Sequence, residues 1–295
     1  MRQPLNKQKI FIIRITIIAV LFFGCLGLWL ISVSTINSSL NEGLLTVTFL
    51  DIGQGDAIFI ETPDGVQLLI DGGPDGTILR ELNSQMHWSD HTIDMVVGTH
   101  PDKDHIGGLI DVLNRYQIDN ILTTENTGET LTATSYHTAL LKEKTNIIMA
   151  RAGQVFALGA STTMAIFSPA QDPTFLDSNT ASIVLQLRYG AIEFMLTGDA
   201  PQAIEEYLVR TYGNSLESEV LKLGHHGSKT ASAESWLKTV ASEYAVVSAG
   251  KDNRYGHPNP EVITRVKALG IKIENTTEKG RLTFKSDGNR VWLVE

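Results

Sequence analysis

The 295-residue chain has a single cysteine, Cys25, inside its one long apolar run. That scarcity excludes a disulfide framework and any thiolate metal site downstream. No Gly-x-Ser-x-Gly occurs, so a serine nucleophile has no elbow to sit on. Gly53-Gln54-Gly55 is no dinucleotide turn, because Ile58 stands where the third glycine belongs and a strand pattern follows. A calcium loop beginning at Asp102 fails as well: Ile106 takes the third ligand position and Leu113 the place of the bidentate glutamate. No internal repeat is visible. Basic residues are scarce in the body, where residues 45–219 hold 8 against 24 acidic ones. Such a surface repels polyanions unless bound cations offset it. Residues 220–295 reverse the balance, 12 basic to 8 acidic, and are the side to meet a phosphate.

What is present begins with Ile15–Val33, almost wholly apolar and preceded by Arg2, Lys7, Lys9 and Arg14. The run is just long enough to cross a bilayer. The basic flank then keeps residues 1–14 in the cytoplasm and puts the rest outside. A cleaved signal peptide competes with this reading, but its apolar core is shorter, and here the chain stays apolar past Cys25. The expected organisation is a cytoplasmic stub and membrane anchor over 1–33, a Ser/Asn-rich linker over 34–44 and one catalytic domain over 45–295. A hydrophobic fraction of 42% supplies its core.

Within that domain, apolar alternation predicts strands over Leu45–Asp51, Ala57–Glu61, Gln67–Ile70, Asp94–Val97, Thr162–Phe167, Ser182–Arg188, Ile192–Thr197, Glu219–Leu223, Tyr244–Ser248, Leu282–Lys285 and Val291–Val294. Helical spacing predicts Gly76–Asn83, Ser135–Lys144 and Glu261–Leu269. The order, strands then helices twice over, suggests two sheets packed face to face with helices outside. His137 reads as a surface residue, and His87 and His91 as loop residues without a role.

The chemistry lies at strand ends. Asp94–Gly98 runs into Thr99-His100-Pro101-Asp102-Lys103-Asp104-His105-Ile106-Gly107-Gly108, two histidines and two carboxylates in six positions. Imidazole and carboxylate crowded this closely are the ligand set of hydrolytic zinc, manganese or iron sites. Three more strands end in polar groups: Asp71-Gly72-Gly73, Thr197-Gly198-Asp199 and Gly224-His225-His226-Gly227. Asp51 to Asp56 and His257 complete the series. Chance would scatter such groups along both sheet edges, whereas open α/β sheets gather their sites at strand C-termini.

His100-Pro101-Asp102-Lys103-Asp104-His105 resembles the metallo-β-lactamase superfamily signature His-x-His-x-Asp-His, with Asp102 in place of the second histidine. Phe49–Ala57, Leu69–Gly73, Leu196–Asp199, Leu221–Ser228 and Arg254–Pro258 narrow the likeness to the hydrolase-like domain of ComEC-type DNA-uptake proteins. The resemblance covers about 45–295, without the many-helix channel of full-length members. It implies an αββα four-layer sandwich holding one or two divalent ions, zinc or manganese. One metal would take His100 and Asp102, the other Asp104 and His105, with Asp199 bridging. The last histidine falls at His226 or His225, with His226 favoured because glycine follows it. The superfamily's further histidine before Asp199 is missing here, where only Asn179, Thr180 and Ser182 stand.

The implied chemistry is hydrolysis by water that the metal acidifies, with two ions about 4 Å apart clamping a phosphoryl group. Asp104, His257 and His225 are the candidate catalytic groups. Lys229, Arg254, Asn179 and Ser182 are candidate substrate contacts, and Asp51, Asp56 and Asp71 would buttress the site. The expected protein is therefore a membrane-anchored, extracytoplasmic phosphodiesterase or nuclease. A phosphodiester is its expected substrate, that of single-stranded DNA or, given the acidic body, of a wall polymer or nucleotide, and a separate uptake channel its expected partner. A lactonase or other acyl hydrolase is the alternative within enzymes, and a catalytically silent surface-binding module the alternative outside them.

Overall fold

The structure, a computed structural model, describes residues 15–27 and 43–294. It divides into two units, Met1–Gly43 and Leu44–Glu295. In the first, residues 15–27 form helix α1. No described helix is long and apolar enough to cross a membrane. The remainder of the expected span, 28–33, lies outside the described residues, as do 1–14 and most of the linker.

The second unit opens with strands β1 (Leu45–Phe49), β2 (Ile58–Glu61) and β3 (Gln67–Ile70), then helix α2 (Thr77–Gln85) and β4 (Thr92–Val97). Helices α3 (Lys103–Ile106) and α4 (Leu109–Arg115), β5 (Gln117–Thr123), α5 (Leu131–Leu140) and β6 (Asn146–Met149) follow. The second half carries β7 (Val155–Leu158), β8 (Thr162–Ser168), β9 (Val184–Tyr189), β10 (Ile192–Leu196), α6 (Gln202–Tyr212), β11 (Val220–Lys222), α7 (Glu234–Val240) and β12 (Tyr244–Val247). It closes with α8 (Pro260–Ala268), β13 (Lys272–Asn275), α9 (Thr276–Lys279), β14 (Leu282–Ser286) and β15 (Val291–Leu293). One sheet has the order β15-β14-β1-β2-β3-β4-β5-β6, the other β13-β12-β11-β10-β9-β8-β7.

Alternation within each strand builds the layers. Val47 and Phe49 of β1, Ile60 of β2, Phe194 and Leu196 of β10 and Phe284 of β14 are buried in one cluster between the sheets. Phe59, Leu69 and Val96 turn the other way, onto Ile78, Leu82, Leu109, Val112 and Tyr136 of α2, α4 and α5. On the second sheet Val184, Met195 and Leu221 pack against Leu208, Trp236, Leu237 and Val262 of α6, α7 and α8. Helices, sheet, sheet and helices give the four expected layers.

Strands β3 to β6 run parallel, as do β10 to β13. Asp71, His100, Asp199 and His226 all follow the C-terminal ends of parallel strands, where backbone polarity and connection geometry leave a crevice.

Helix α5 starts four residues earlier than its apolar spacing predicts, because the Thr130 hydroxyl caps it by accepting from Ala133 N–H (3.1 Å). Its His137 is half-buried rather than a surface residue, with Nε2 enclosed and without a hydrogen-bond partner.

A buried acid ties the helices that cover the second sheet. Glu205 of α6 accepts the Ser232 and Ala233 N–H groups, each at 2.7 Å, on the turn leading into α7. Burial pushes its carboxyl up to about 7 against those donors. A folded pKa above the unfolded 4.5 means stability fully present below about pH 4.5 and lost as pH rises to about 7. The change is on the order of 3 kcal/mol. Glu205→Gln, which cannot titrate, is expected to abolish this component. Urea denaturation of both proteins from pH 4.5 to 7.5 checks it: the wild-type margin over the variant should shrink as pH rises.

Candidate metal centre

The turn after β4 is a short helical hairpin rather than an open loop. Asp102 flanks α3 in extended conformation, and α3 projects Asp104 and His105 back toward the strand ends. Backbone bonds dock it: Asp56 N–H donates to Asp104 O (3.1 Å) and Gly72 N–H to His105 O (2.7 Å). The approach is close enough that a Cβ on Gly55 would fall 2.1 Å from the Asp104 carbonyl oxygen. Only glycine fits there.

After β11 the chain does something costlier. His225 (φ 51°) and His226 (φ 56°) are consecutive left-handed residues. Non-glycine residues in this region cost on the order of 1 kcal/mol or more each and cluster where function requires them.

Three imidazoles are locked into one tautomer by what lies behind them. Asp71 accepts Thr99 N–H (2.8 Å) and Thr99 Oγ1–H (2.7 Å), and also His105 Nδ1–H (2.8 Å). With its proton given to Asp71, the Thr99 oxygen accepts from His100 Nδ1 (3.0 Å). His226 Nδ1 donates to Ser248 O (3.0 Å) and lies 3.3 Å from Asp56 Oδ1. In all three rings the Nε2 lone pair therefore faces inward.

They face Asp199. Its Oδ1 is 3.4 Å from His105 Nε2, and its Oδ2 is 3.9 Å from His100 Nε2 and 3.7 Å from His226 Nε2. Asp104 Oδ2 sits 3.3 Å from His226 Nε2, and Asp102 Oδ2 3.7 Å from His100 Nε2. His100 Nε2, His105 Nε2, His226 Nε2 and Asp199 Oδ1 are all buried without a hydrogen-bond donor. Acceptors converging on acceptors in a buried space need a cation, and nitrogen and oxygen donors of this kind suit a divalent metal.

Electrostatics agree. Burial opposes charge on His226 and His105, yet Asp199 outweighs it, with Asp56 holding His226 at about 9 and Asp71 helping to hold His105 well above its ordinary value. Asp199 lies well below the carboxylate range despite burial, through His226 and His105. Asp104 is held at about 2 against burial by His226 and His105. The same charge balance suits a divalent ion, whose binding would release those protons. Asp56, His105, Asp199 and His226 each place a ligand atom within 4.8 Å of the others. Asp56, however, is engaged by Lys222 Nζ at 2.9 Å, and it lies on the Nδ1 side of His226, away from the inward lone pairs.

Because Asp71 fixes both His105 and Thr99, Asp71→Asn is expected to weaken metal affinity about 10- to 100-fold. Competitive titration against a chelating dye measures this.

The other expected residues divide. His225 Nε2 is 3.7 Å from Asp199 Oδ2, and its Nδ1 meets Thr230 Oγ1 at 3.0 Å and Asn179 Nδ2 at 3.5 Å. His257 has its ring 5.5 Å from His225 and 6.5 Å from His226, with Nδ1 buried and unpartnered. Ser182 is corrected: it is wholly buried and its hydroxyl accepts Asp199 N–H (3.3 Å), so it steadies the end of β10 instead of meeting substrate. Asp51 is exposed and makes no hydrogen bond or ion pair with the cluster among the described residues. The Lys229 side chain is exposed and also apart from the cluster. Arg254 is exposed and packs on Tyr255. Sequence reasoning missed Ser178, whose hydroxyl donates to Asp102 Oδ1 (2.6 Å), and Lys222. A charge inside the apolar run Val220-Leu221-Lys222-Leu223 was the available signal for the latter.

A family model described as the metallo-beta-lactamase superfamily matches residues 50–251. The chain belongs to that superfamily. Among curated relatives, ComE operon protein 3 of Bacillus subtilis (strain 168) is 27% identical over 258 residues, covering 81% of this chain and 33% of that protein. Competence protein ComA of Neisseria gonorrhoeae is 46% identical over 109 residues, 37% of this chain and 16% of that one. This superfamily member thus spans a third or less of the length of these relatives, which are competence proteins as the five motifs led one to expect. Zn(2+)-bound PqqB from Methylobacterium extorquens shares the fold, with a TM-score of 0.52 at 13% identity, covering 81% of this chain and 99% of that one.

Proposed function

We propose that this chain is a metal-dependent phosphodiesterase that cleaves a nucleic-acid strand, carried outside the cell membrane by the apolar segment Ile15–Val33. The observation that carries the reading is the convergence of unpartnered imidazole nitrogens and carboxylate oxygens on Asp199. The names of the competence relatives support a nucleic-acid substrate.

His100 and Asp102 would hold one divalent cation and Asp104, His105 and His226 a second, with Asp199 shared. Oxygen donors are numerous enough that manganese suits the set as well as zinc. When bound, the cations attract phosphoryl oxygen and make water a nucleophile near neutral pH. The chain's own groups do the rest. Asp104 orients the attacking water by accepting its hydrogen bond. His257, whose pKa is lowered by burial and by the neighbouring His225, would hydrogen-bond the leaving oxygen, which takes its proton from solvent. His225 and Asn179 steady the phosphoryl group.

The test is turnover by the purified, metal-loaded protein on single-stranded DNA and on a bis-aryl phosphodiester. Activity should vanish on chelation and return with Mn²⁺ or Zn²⁺. Turnover of neither substrate with either ion removes the reading, and turnover of a lactone instead establishes an acyl hydrolase. The anchor is tested by fractionation, the full chain being expected in the membrane pellet and cut by external protease.

A further inference from the structure

We propose that Tyr255, with the Arg254 guanidinium over its ring, is a stacking platform for the nucleobase beside the phosphodiester held at the cluster. The proposal rests on the phosphodiesterase reading and deepens it.

The loop between β12 and α8 is fixed by one side chain. Asn253 Oδ1 accepts from Tyr255 N–H (3.2 Å) and His257 N–H (2.9 Å), while its Nδ2 donates to Gly250 O (2.8 Å) and His257 O (2.6 Å). Gly250 N–H is held in turn by Gln54 Oε1 (3.1 Å). This frame nevertheless leaves Tyr255 54% exposed. The ring lies nearly parallel to His257, at 16° and 5.8 Å between centroids, and His257 abuts His225 at 5.5 Å. A chain of ring contacts therefore runs from the cluster out to solvent, edge-on from His225 to His257 and face-on from His257 to Tyr255. Arg254 stands 5.0 Å from the Tyr255 centroid and donates to its hydroxyl (2.9 Å).

A fixed exposed aromatic beside a cation is how single strands are bound without sequence preference, since every base has a π face. Charge leans positive: Lys251 and Arg254 outnumber the exposed Asp252 in the loop, and Lys229 is exposed on the neighbouring one that carries His225 and His226. Two other exposed rings of the second unit fit less well. Phe175 lies between exposed Asp172 and Asp177, which repel a polyanion. Trp88 precedes β4, at the opposite end of that strand from His100.

The experiment uses the full chain, Mn²⁺ and a phosphorothioate single strand carrying 2-aminopurine, whose fluorescence is quenched by stacking. Tyr255→Ala should abolish most of the quench and weaken binding roughly 10-fold or more. Tyr255→Phe should retain both, and Trp88→Ala should match wild type. An abasic strand of equal length should bind wild type and Tyr255→Ala alike. No wild-type binding, an unaltered Tyr255→Ala, or equal weakening on the abasic strand would overturn the proposal. The phosphodiesterase reading fails separately, if unmodified strand binds and quenches yet stays uncut.

Discussion

Asp199→Asn is expected to lose at least one bound metal ion per chain and to lower phosphodiester turnover by about 10²–10³-fold or more. Among the described residues no other side chain meets so many of the converging groups: its two oxygens lie 3.4–3.9 Å from the Nε2 atoms of His100, His105, His225 and His226. The amide has nearly the same shape, so packing at the end of β10 survives. What it loses is the negative charge and one of the two acceptor oxygens, the two properties a shared ligand needs. Its NH₂ can also donate to one of the inward lone pairs, replacing a cation with a weaker neutral contact. The chelated variant should therefore melt close to chelated wild type. Adding metal should separate them, because a ligand at a hundredfold excess over Kd stabilises by about 2.7 kcal/mol. Wild type should gain that increment and the variant should not. Elemental analysis, thermal melts with and without Mn²⁺ or Zn²⁺, and turnover check the prediction together. A variant that keeps full metal and activity would end Asp199's assignment.

Much of the centre was legible because its chemistry is written at predictable places. Apolar alternation located β3, β4, β10 and β11, and a polar cluster directly after a buried strand stands out against it. The resemblance then ordered those clusters into ligands. Several strands escaped for physical reasons. β5 carries Asp119 and Asn120 in the middle of its run, and it is a strand because β4 and β6 pair with it on either side. β6 and β13 have half-exposed patterns without a buried face to betray them. Contacts made by backbone atoms leave no trace in a side-chain pattern, so the Ser248 carbonyl behind His226 was invisible. So were the left-handed conformations of His225 and His226, since histidine, unlike glycine, does not announce positive φ. Ser182 shows the converse error. Its position before Asp199 suggested a substrate contact, but burial gives its hydroxyl to the Asp199 backbone.

Lys222→Met is expected to destabilise the fold by about 3–5 kcal/mol. For a domain of this size that lowers Tm on the order of 10 °C. Lys222 ends β11 with its side chain fully buried. Its ammonium reaches Asp56 Oδ1 at 2.9 Å and donates to Leu223 O at 2.9 Å. Asp56 comes from the β1–β2 connection of the other sheet, so the pair is a tie between the two halves of the sandwich. Methionine fills the volume but leaves a buried carboxylate supported only weakly, by His226 Nδ1 at 3.3 Å and by His105 beyond it. That carboxylate is held below its ordinary range against burial by Lys222 first and His226 next, and removing the lysine strips the larger support. Asp56 then pulls on His226 without a counterweight, and the ring's bond to Ser248 is the one most exposed to the change. Loss of metal affinity should accompany the loss of stability. Asp56→Asn combined with Lys222→Met separates the two effects, because replacing both charges removes the orphaned anion. The double variant should recover most of the lost Tm, giving a favourable coupling of several kcal/mol in a double-mutant cycle. Additive effects of the two substitutions would mean that the lysine stabilises through its packing alone.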